Sequence, residues 1–425
     1  MFRRITPLIQ MFVLFIACAP LLIGSSTLIG QITGSAGAAL VAMTLVTAIG
    51  TAAAMLITGR PILLAPHIAL TAACSFNLVW GNGFAYSSLL TIVAVAGGVL
   101  LVLGVTGIAG RIVMAIPPVL AAAMGIAVGL ELATTGLRYA GVIITHPVSA
   151  ITIGSFAARV PLVAGIGLTA GFIAWARNCK YYLEIGAAVS LLTALCVGLV
   201  SAPELTVSLT PYGELNFTGP QIDGSMPAHW DRIVALGLFI LLNALALLVV
   251  FREYFSLSVQ KLNQMMALNG ACLIVSALLG APGIALAPEA LLARVHANRN
   301  GAAGLWFFGL LIIGSIVPGL IMYFGNGVDF GGVGIQYPLA AGTLILGGLT
   351  CTTAFRWADW SNGETALTTG TVILFAVSGG SIATAFVAGL GVITLHRTVT
   401  GKVDTLPFWC YFTLGFGLIW RFIFS

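Results

Sequence analysis

Leu64-Ala65-Pro66-His67 and Leu286-Ala287-Pro288-Glu289 are two copies of one motif, 222 positions apart in a chain of 425 residues. Each stands inside an apolar segment after a Gly/Pro lead-in, Gly59-Arg60-Pro61 in one case and Gly280-Ala281-Pro282 in the other. Each carries an ionisable residue directly after its proline. Hydrophobic segments interrupted at corresponding points of two halves point to a binding site built from half-helices in a membrane transporter.

Composition sets the frame for that reading. The chain is 59% apolar and 7% charged, with a mean hydropathy of +1.09, whereas soluble domains average about 25% charged residues. It holds more than a dozen apolar runs of the roughly 17–25 residues that span a bilayer as a helix. The expected class is an all-α polytopic membrane protein with no soluble domain. The net charge of +5 comes from basic residues scattered between hydrophobic segments, which suits membrane topology and not nucleic acid. The seven cysteines stand singly, without CxxC or another ligand spacing, so neither a disulfide framework nor a metal site is expected.

Spans are expected at about 8–30, 37–58, 61–80, 84–109, 112–134, 161–176 and 181–201. A second series follows at about 232–251, 264–280, 281–297, 303–324, 335–354, 366–396 and 406–424. Paired spans start about 220 to 225 residues apart, and seven spans per half give the halves opposite orientations, the inverted-repeat arrangement. The first repeat is therefore residues 1–201 and the second 232–425. Between them, the acid-rich stretch 202–231 suits an extracytoplasmic loop. With the N-terminus cytoplasmic, twelve of the 17 basic residues fall inside, among them Arg3, Arg4, Arg60 and Arg111, as the positive-inside rule requires. Within 366–396, Gly379-Gly380 could instead break the segment into two short crossings.

Prolines that interrupt spans free backbone groups that hydrocarbon cannot satisfy, so such breaks belong at a cavity or ligand. Pro66 and Pro288 suit the first turns of half-helices, whose positive ends would face a shared centre. Glu289, directly after Ala287-Pro288, is the one acid expected deep in the membrane, where a carboxylate is costly and usually functional. His67 occupies the matching place, and Asn243 lies mid-span in the second half. Each has a plainer alternative: kinked packing for the prolines, a hydrogen-bonded packing role for His67, interhelical bonding for Asn243. Glu131, Arg138, Arg252 and Glu253 are expected at span ends, in water.

Gly59-Arg60-Pro61-Ile62-Leu63-Leu64-Ala65-Pro66 with Leu70-Thr71-Ala72 resembles the third-span motif of the adenine/guanine/hypoxanthine (AzgA-like) purine permeases. These belong to the nucleobase–cation symporter-2 superfamily. The run Arg111 to Pro117, continuing through Gly125-Ile126-Ala127-Val128-Gly129, resembles that family's fifth span. Gly347-Gly348-Leu349, Asp359-Trp360 and Trp420-Arg421-Phe422 extend the likeness through most of the chain. The resemblance implies a 7+7 inverted repeat with core and gate domains, spans 3 and 10 broken, and an elevator-like movement. It places Glu289 where the family's tenth span holds substrate. Asn243 and Ala246 stand where the eighth span carries acids, Thr71 where the third span has asparagine, and His67 where it has glycine.

The expected function is a secondary active transporter of a small flat polar solute, a purine nucleobase first among them. Substrate binding is assigned to Glu289, Asn243, Thr71, Pro66, His67, Ala287 and Pro288. Proton symport follows from the resemblance, with Glu289 or His67 carrying the proton. The resemblance also implies a homodimer, and a bacterial inner membrane is the expected location. No cofactor is expected. The alternatives are a carrier of benzoate-like carboxylates or inorganic anions, and a transport-inactive sensor. An intramembrane enzyme would need clustered acids or a metal set near one membrane face, which the sequence does not offer.

Overall fold

A computed structural model of the chain describes residues 2–34, 36–81, 83–146, 150–199, 218–221, 230–296, 336–352, 360–377, 381–402, 415 and 417. Among these, seven helices are long and apolar enough to cross a membrane. The expected span at 303–324, nearly all of that at 406–424, most of the 202–231 loop and the Gly379-Gly380 pair lie outside the described residues.

The first half opens with α1 (Phe2–Thr33) and α2 (Ala36–Thr58). A three-residue strand β1 (Leu64–Pro66) leads into a broken helix, α3 (Ile68–Ala72) continued by a π-helical stretch (Ala73–Trp80). Then come α4 (Tyr86–Val105), α5 (Ile108–Ala115) and α6 (Pro118–Tyr139). An antiparallel hairpin, β2 (Ile143–His146) with β3 (Ala150–Ile153), precedes α7 (Arg159–Ala176) and α8 (Tyr182–Cys196).

The second half has α9 (Trp230–Phe255), α10 (Val259–Leu278), β4 (Ile284–Leu286) and a 3-10 helix (Pro288–His296). Further on lie α11 (Gln336–Cys351), α12 (Gly363–Val377) and α13 (Ile382–Val399).

The helices pack in two groups. α2, α4, α5 and α10 form one with both short strands; α6, α7, α8, α11, α12 and α13 form the other. α1 touches both, packing on α2, on α11 and on the 3-10 helix, and α9 lies against α4, α6 and α13. In lipid the hydrophobic effect does not hold helices together, so close backbone packing must. Both groups use facing glycines for it. A Cβ on Gly97 of α4 would lie 2.8 Å from the Gly270 carbonyl oxygen of α10, and one on Gly129 of α6 would lie 2.7 Å from that of Gly348 of α11. Apolar side chains such as Leu56, Val105, Leu192 and Leu395 point outward, as lipid-facing residues do.

Three sequence expectations are corrected. The segment expected at 112–134 is broken at Ile116-Pro117, because prolines 117 and 118 cannot continue α5; α6 then starts with Pro118 at its first position and runs on to Tyr139. The segment expected at 366–396 is two helices, α12 and α13, the second capped by the Ser381 hydroxyl accepting the Thr384 N–H. They run antiparallel, since Arg397 near the end of α13 makes a two-pronged ion pair with Glu364 at the start of α12, at 2.8–3.2 Å.

Arg252 does not stand in water. It is 8% exposed, and its guanidinium donates to the carbonyls of Val113 (2.6 Å) and Ile116 (3.3 Å). These carbonyls lie at the α5–α6 break, where Val113 also accepts a long bond from the Ile116 N–H (3.4 Å) and prolines 117 and 118 offer no N–H.

Candidate functional site

The two copies of the motif meet. Both lead-ins are helix ends: Gly59 after α2 and Gly280 after α10 take left-handed conformations (φ +67° and +76°). A glycine in this conformation commonly terminates a helix, and the proline two residues later prevents its resumption. The chain then runs extended, and β1 pairs antiparallel with β4, Leu64 opposite Leu286 and Ala65 opposite Ala285. Bonds from His67 N–H to the Gly283 carbonyl (2.9 Å) and from Ala287 N–H to the Leu63 carbonyl (3.1 Å) extend the ladder. Leu64 and Leu286 hold the same position in their motifs and are direct partners. A local two-fold axis therefore passes between them.

A two-stranded ladder inside a membrane leaves its outer edges bare, and those edges must be satisfied within the protein. The Thr51 hydroxyl of α2 does so on one side, accepting the Leu64 N–H (3.0 Å) and donating to the Leu64 carbonyl (3.2 Å). The Asn269 carboxamide oxygen of α10 does so on the other, accepting the Leu286 N–H (3.0 Å). Pro66 has no N–H and sits opposite Ile284, at a position where the ladder does not call for one. Gly283 adopts φ +102°, and a Cβ there would come within 3.0 Å of the Thr71 hydroxyl.

Beside the ladder lies a cavity of about 270 Å³. That is near the lower end of the ~300–1,000 Å³ of small-molecule sites. The broken elements supply one wall: Pro66 and His67 from the first, Ala287, Pro288 and Glu289 from the second. α6 supplies another with Glu131, Thr134, Thr135, Arg138 and Tyr139. Leu21 of α1, Ala376 and Val377 of α12, and Ser381 complete the lining.

His67 and Glu289 are each 6% exposed. Both ring nitrogens of His67, the Glu289 Oε2 and the Glu131 Oε2 are buried without a hydrogen-bond partner among the described residues. Buried polar groups are almost always bonded, so this concentration along one small cavity marks a place where a polar solute would complete the set. The 3-10 helix begins at Pro288, which needs no N–H there.

Of the expected site residues, five line the cavity: Pro66, His67, Ala287, Pro288 and Glu289. Two do not. Thr71 is fully buried, with its hydroxyl donating to the His67 carbonyl one turn earlier (3.2 Å). Asn243 is buried in α9, its Oδ1 without a partner, and is not part of the lining.

The α6 wall was not expected, because the span was placed to end near 134. A signal was nevertheless present. Glu131, Thr134, Thr135 and Arg138 follow the i, i+3, i+4, i+7 spacing of a single helix face, a polar stripe on an otherwise apolar helix.

Comparison with known proteins places the fold in context. Residues 4–290 match the model of a family described as Permease family. The guanine/hypoxanthine permease PbuG of Bacillus subtilis (strain 168) is 27% identical over 175 residues, covering 41% of this chain and 40% of that protein. PbuO of the same organism, also a guanine/hypoxanthine permease, is 26% identical over 205 residues, covering 48% and 46%. The matches thus span less than half the length of either relative.

Among solved structures, the transmembrane domain of the cyanobacterium bicarbonate transporter BicA superposes with a TM-score of 0.51 at 16% identity, covering 90% of this chain and 96% of that one. The murine anion transporter Slc26a9 gives 0.53 at 11%, covering 93% and 68%. At such identities the likeness is one of fold.

Proposed function

This chain belongs to the Permease family, of the nucleobase–cation symporter-2 kind, and we propose that it carries a purine nucleobase across the membrane by secondary active transport. It is an integral membrane transporter and not an enzyme. The observation that carries the nucleobase reading is the buried, unpartnered Glu289 Oε2 lining the cavity. A carboxylate there calls for N–H donors on the solute, which a purine ring supplies and benzoate or bicarbonate does not. The names of PbuG and PbuO support the same substrate class.

In this reading Glu289 accepts substrate N–H groups. The ring of His67 and the half-helix starts at Pro66 and Ala287-Pro288 complete that wall, while Thr71 and Asn243 act from behind it. Protons couple the cycle through Glu289 or His67, two titratable groups of the broken elements that line the cavity. The local two-fold axis between Leu64 and Leu286 supports a 7+7 inverted repeat of 1–201 and 232–425 around a 202–231 loop. The two packing groups of helices support core and gate domains that move against each other. An N-terminus on the cytoplasmic side of a bacterial inner membrane and assembly as a homodimer belong to the same proposal.

Arg138, lining the same cavity, favours an anionic solute, as do the positive ends of the half-helices. A thermal-shift panel on the purified protein separates the two readings. Hypoxanthine or guanine at 100-fold excess over its Kd should stabilise the fold by about 2.7 kcal/mol and raise the melting point, with benzoate and bicarbonate inert. Stabilisation by an anion and by no nucleobase would reject the proposal.

A further inference from the structure

We propose that Glu131 of α6 is a second substrate-binding carboxylate, facing Glu289 across the cavity, so that the solute must present N–H donors on two separate edges. This rests on the nucleobase reading above and narrows it. The favoured class is an oxopurine with unsubstituted ring nitrogens, with one N–H on the six-membered ring and one on the imidazole ring.

The geometry assigns Glu131 a part that packing does not explain. Its Oε2 is buried and has no hydrogen-bond partner among the described residues. The neighbour that could neutralise it, Arg138, lies two helical turns away on the same face of α6. No ion pair joins the two among the described residues. Thr134 does not serve the carboxylate either, since its hydroxyl donates to the Glu131 backbone carbonyl (3.0 Å).

Glu131 lines the same cavity as Glu289. α6 and the 3-10 helix, which touch each other, thus set two carboxylates along a single cavity. Two acceptors with no donor between them repel each other in a low-dielectric site. A solute with N–H groups at both ends relieves that repulsion and fills both sets of lone pairs, while a solute with donors on one edge fills only one. Arg138, exposed near the C-terminal end of α6, supplies a donor suited to the oxo group.

The second acid has a counterpart in what the ladder side lacks. The eighth-span positions where acids were expected hold Asn243 and Ala246, and Asn243 does not line the cavity. Glu131 provides a second carboxylate from the opposite wall.

The test crosses a change in the protein with a change in the solute. Equilibrium binding of hypoxanthine, 1-methylhypoxanthine and 9-methylhypoxanthine is measured on full-length wild type, Glu131→Gln and Glu289→Gln. Losing a charge-assisted bond is worth roughly tenfold in affinity. Wild type should lose about tenfold on methylation at either edge.

Glu131→Gln should bind hypoxanthine about tenfold more weakly, and methylation at one of the two edges should then cost little more. Glu289→Gln should show the same insensitivity at the other edge. Glu131→Asp keeps the charge one methylene back and should fall between, covering the case in which the glutamine variant does not fold. Full, undiminished methyl penalties at both edges in Glu131→Gln, or hypoxanthine affinity unchanged in that variant, would overturn the proposal while sparing the nucleobase reading. A wild type that binds no purine at all would overturn both.

Discussion

Glu289→Gln is expected to weaken nucleobase binding by about 10- to 100-fold while leaving the fold intact. The substitution keeps shape and volume, removes the charge and turns one acceptor oxygen into an N–H donor. The carboxylate lines the cavity with Oε2 unpartnered at 6% exposure, so substrate N–H groups would bond to an acceptor sheltered from water. Hydrogen bonds to a charged group contribute about 1.5–3 kcal/mol each, and every 1.4 kcal/mol is a factor of ten. Calorimetric titration of the purified variant with hypoxanthine reads the effect. An unchanged Kd would remove Glu289 from the site, and tighter binding of benzoate in the variant would favour the anion reading.

The second large effect concerns stability. Arg252→Met retains an apolar stem but takes away the donors that reach the Val113 and Ile116 carbonyls. Without the guanidinium the Val113 carbonyl would keep the long bond from the Ile116 N–H (3.4 Å), the Ile116 carbonyl lies beside prolines that offer no N–H, and buried acceptors left unmade cost about 1–3 kcal/mol each. A loss of about 3 kcal/mol is expected, seen as a melting transition several degrees lower without ligand. Arg252→Lys should recover part of it, because a single ammonium cannot reproduce the forked reach of guanidinium. Glu253→Gln should change little: the Arg252–Glu253 pair (2.7 Å) is 40% exposed on the glutamate side, and such pairs contribute about 0–1 kcal/mol. Equal losses in Glu253→Gln and Arg252→Met would assign the stability to the ion pair instead of the carbonyl contacts.

The centre of the fold was legible because the two broken elements announce themselves locally. Glycine at the helix ends, proline two residues later and one ionisable residue after a second proline are each readable without knowing what lies across the membrane. The pairing of Leu64 with Leu286 was not read from the sequence, which pointed only to two half-helices facing a shared site. The partners that make the ladder tolerable in lipid were not legible. Thr51 and Asn269 are ordinary polar residues in apolar helices, and only the third dimension brings them to the ladder edges.

Glu131 was misplaced by a boundary. The Ile116-Pro117-Pro118 break displaces the helix toward its C-terminus, so a carboxylate taken for a span end lies along the cavity. Arg252 was misread for the opposite reason. A basic residue near a span end ordinarily meets water, and nothing local shows that the Val113 and Ile116 carbonyls at the α5–α6 break await it. Thr71 stood on the right element, but its hydroxyl is committed to the His67 carbonyl a turn earlier, which a motif position cannot reveal.

The central claim is tested most directly by counterflow uptake of radiolabelled hypoxanthine into proteoliposomes containing the purified full-length protein. The account predicts uptake that guanine competes, that benzoate and bicarbonate do not, and that Glu289→Gln abolishes. Uptake of benzoate or bicarbonate in place of hypoxanthine, undiminished in Glu289→Gln, would contradict it.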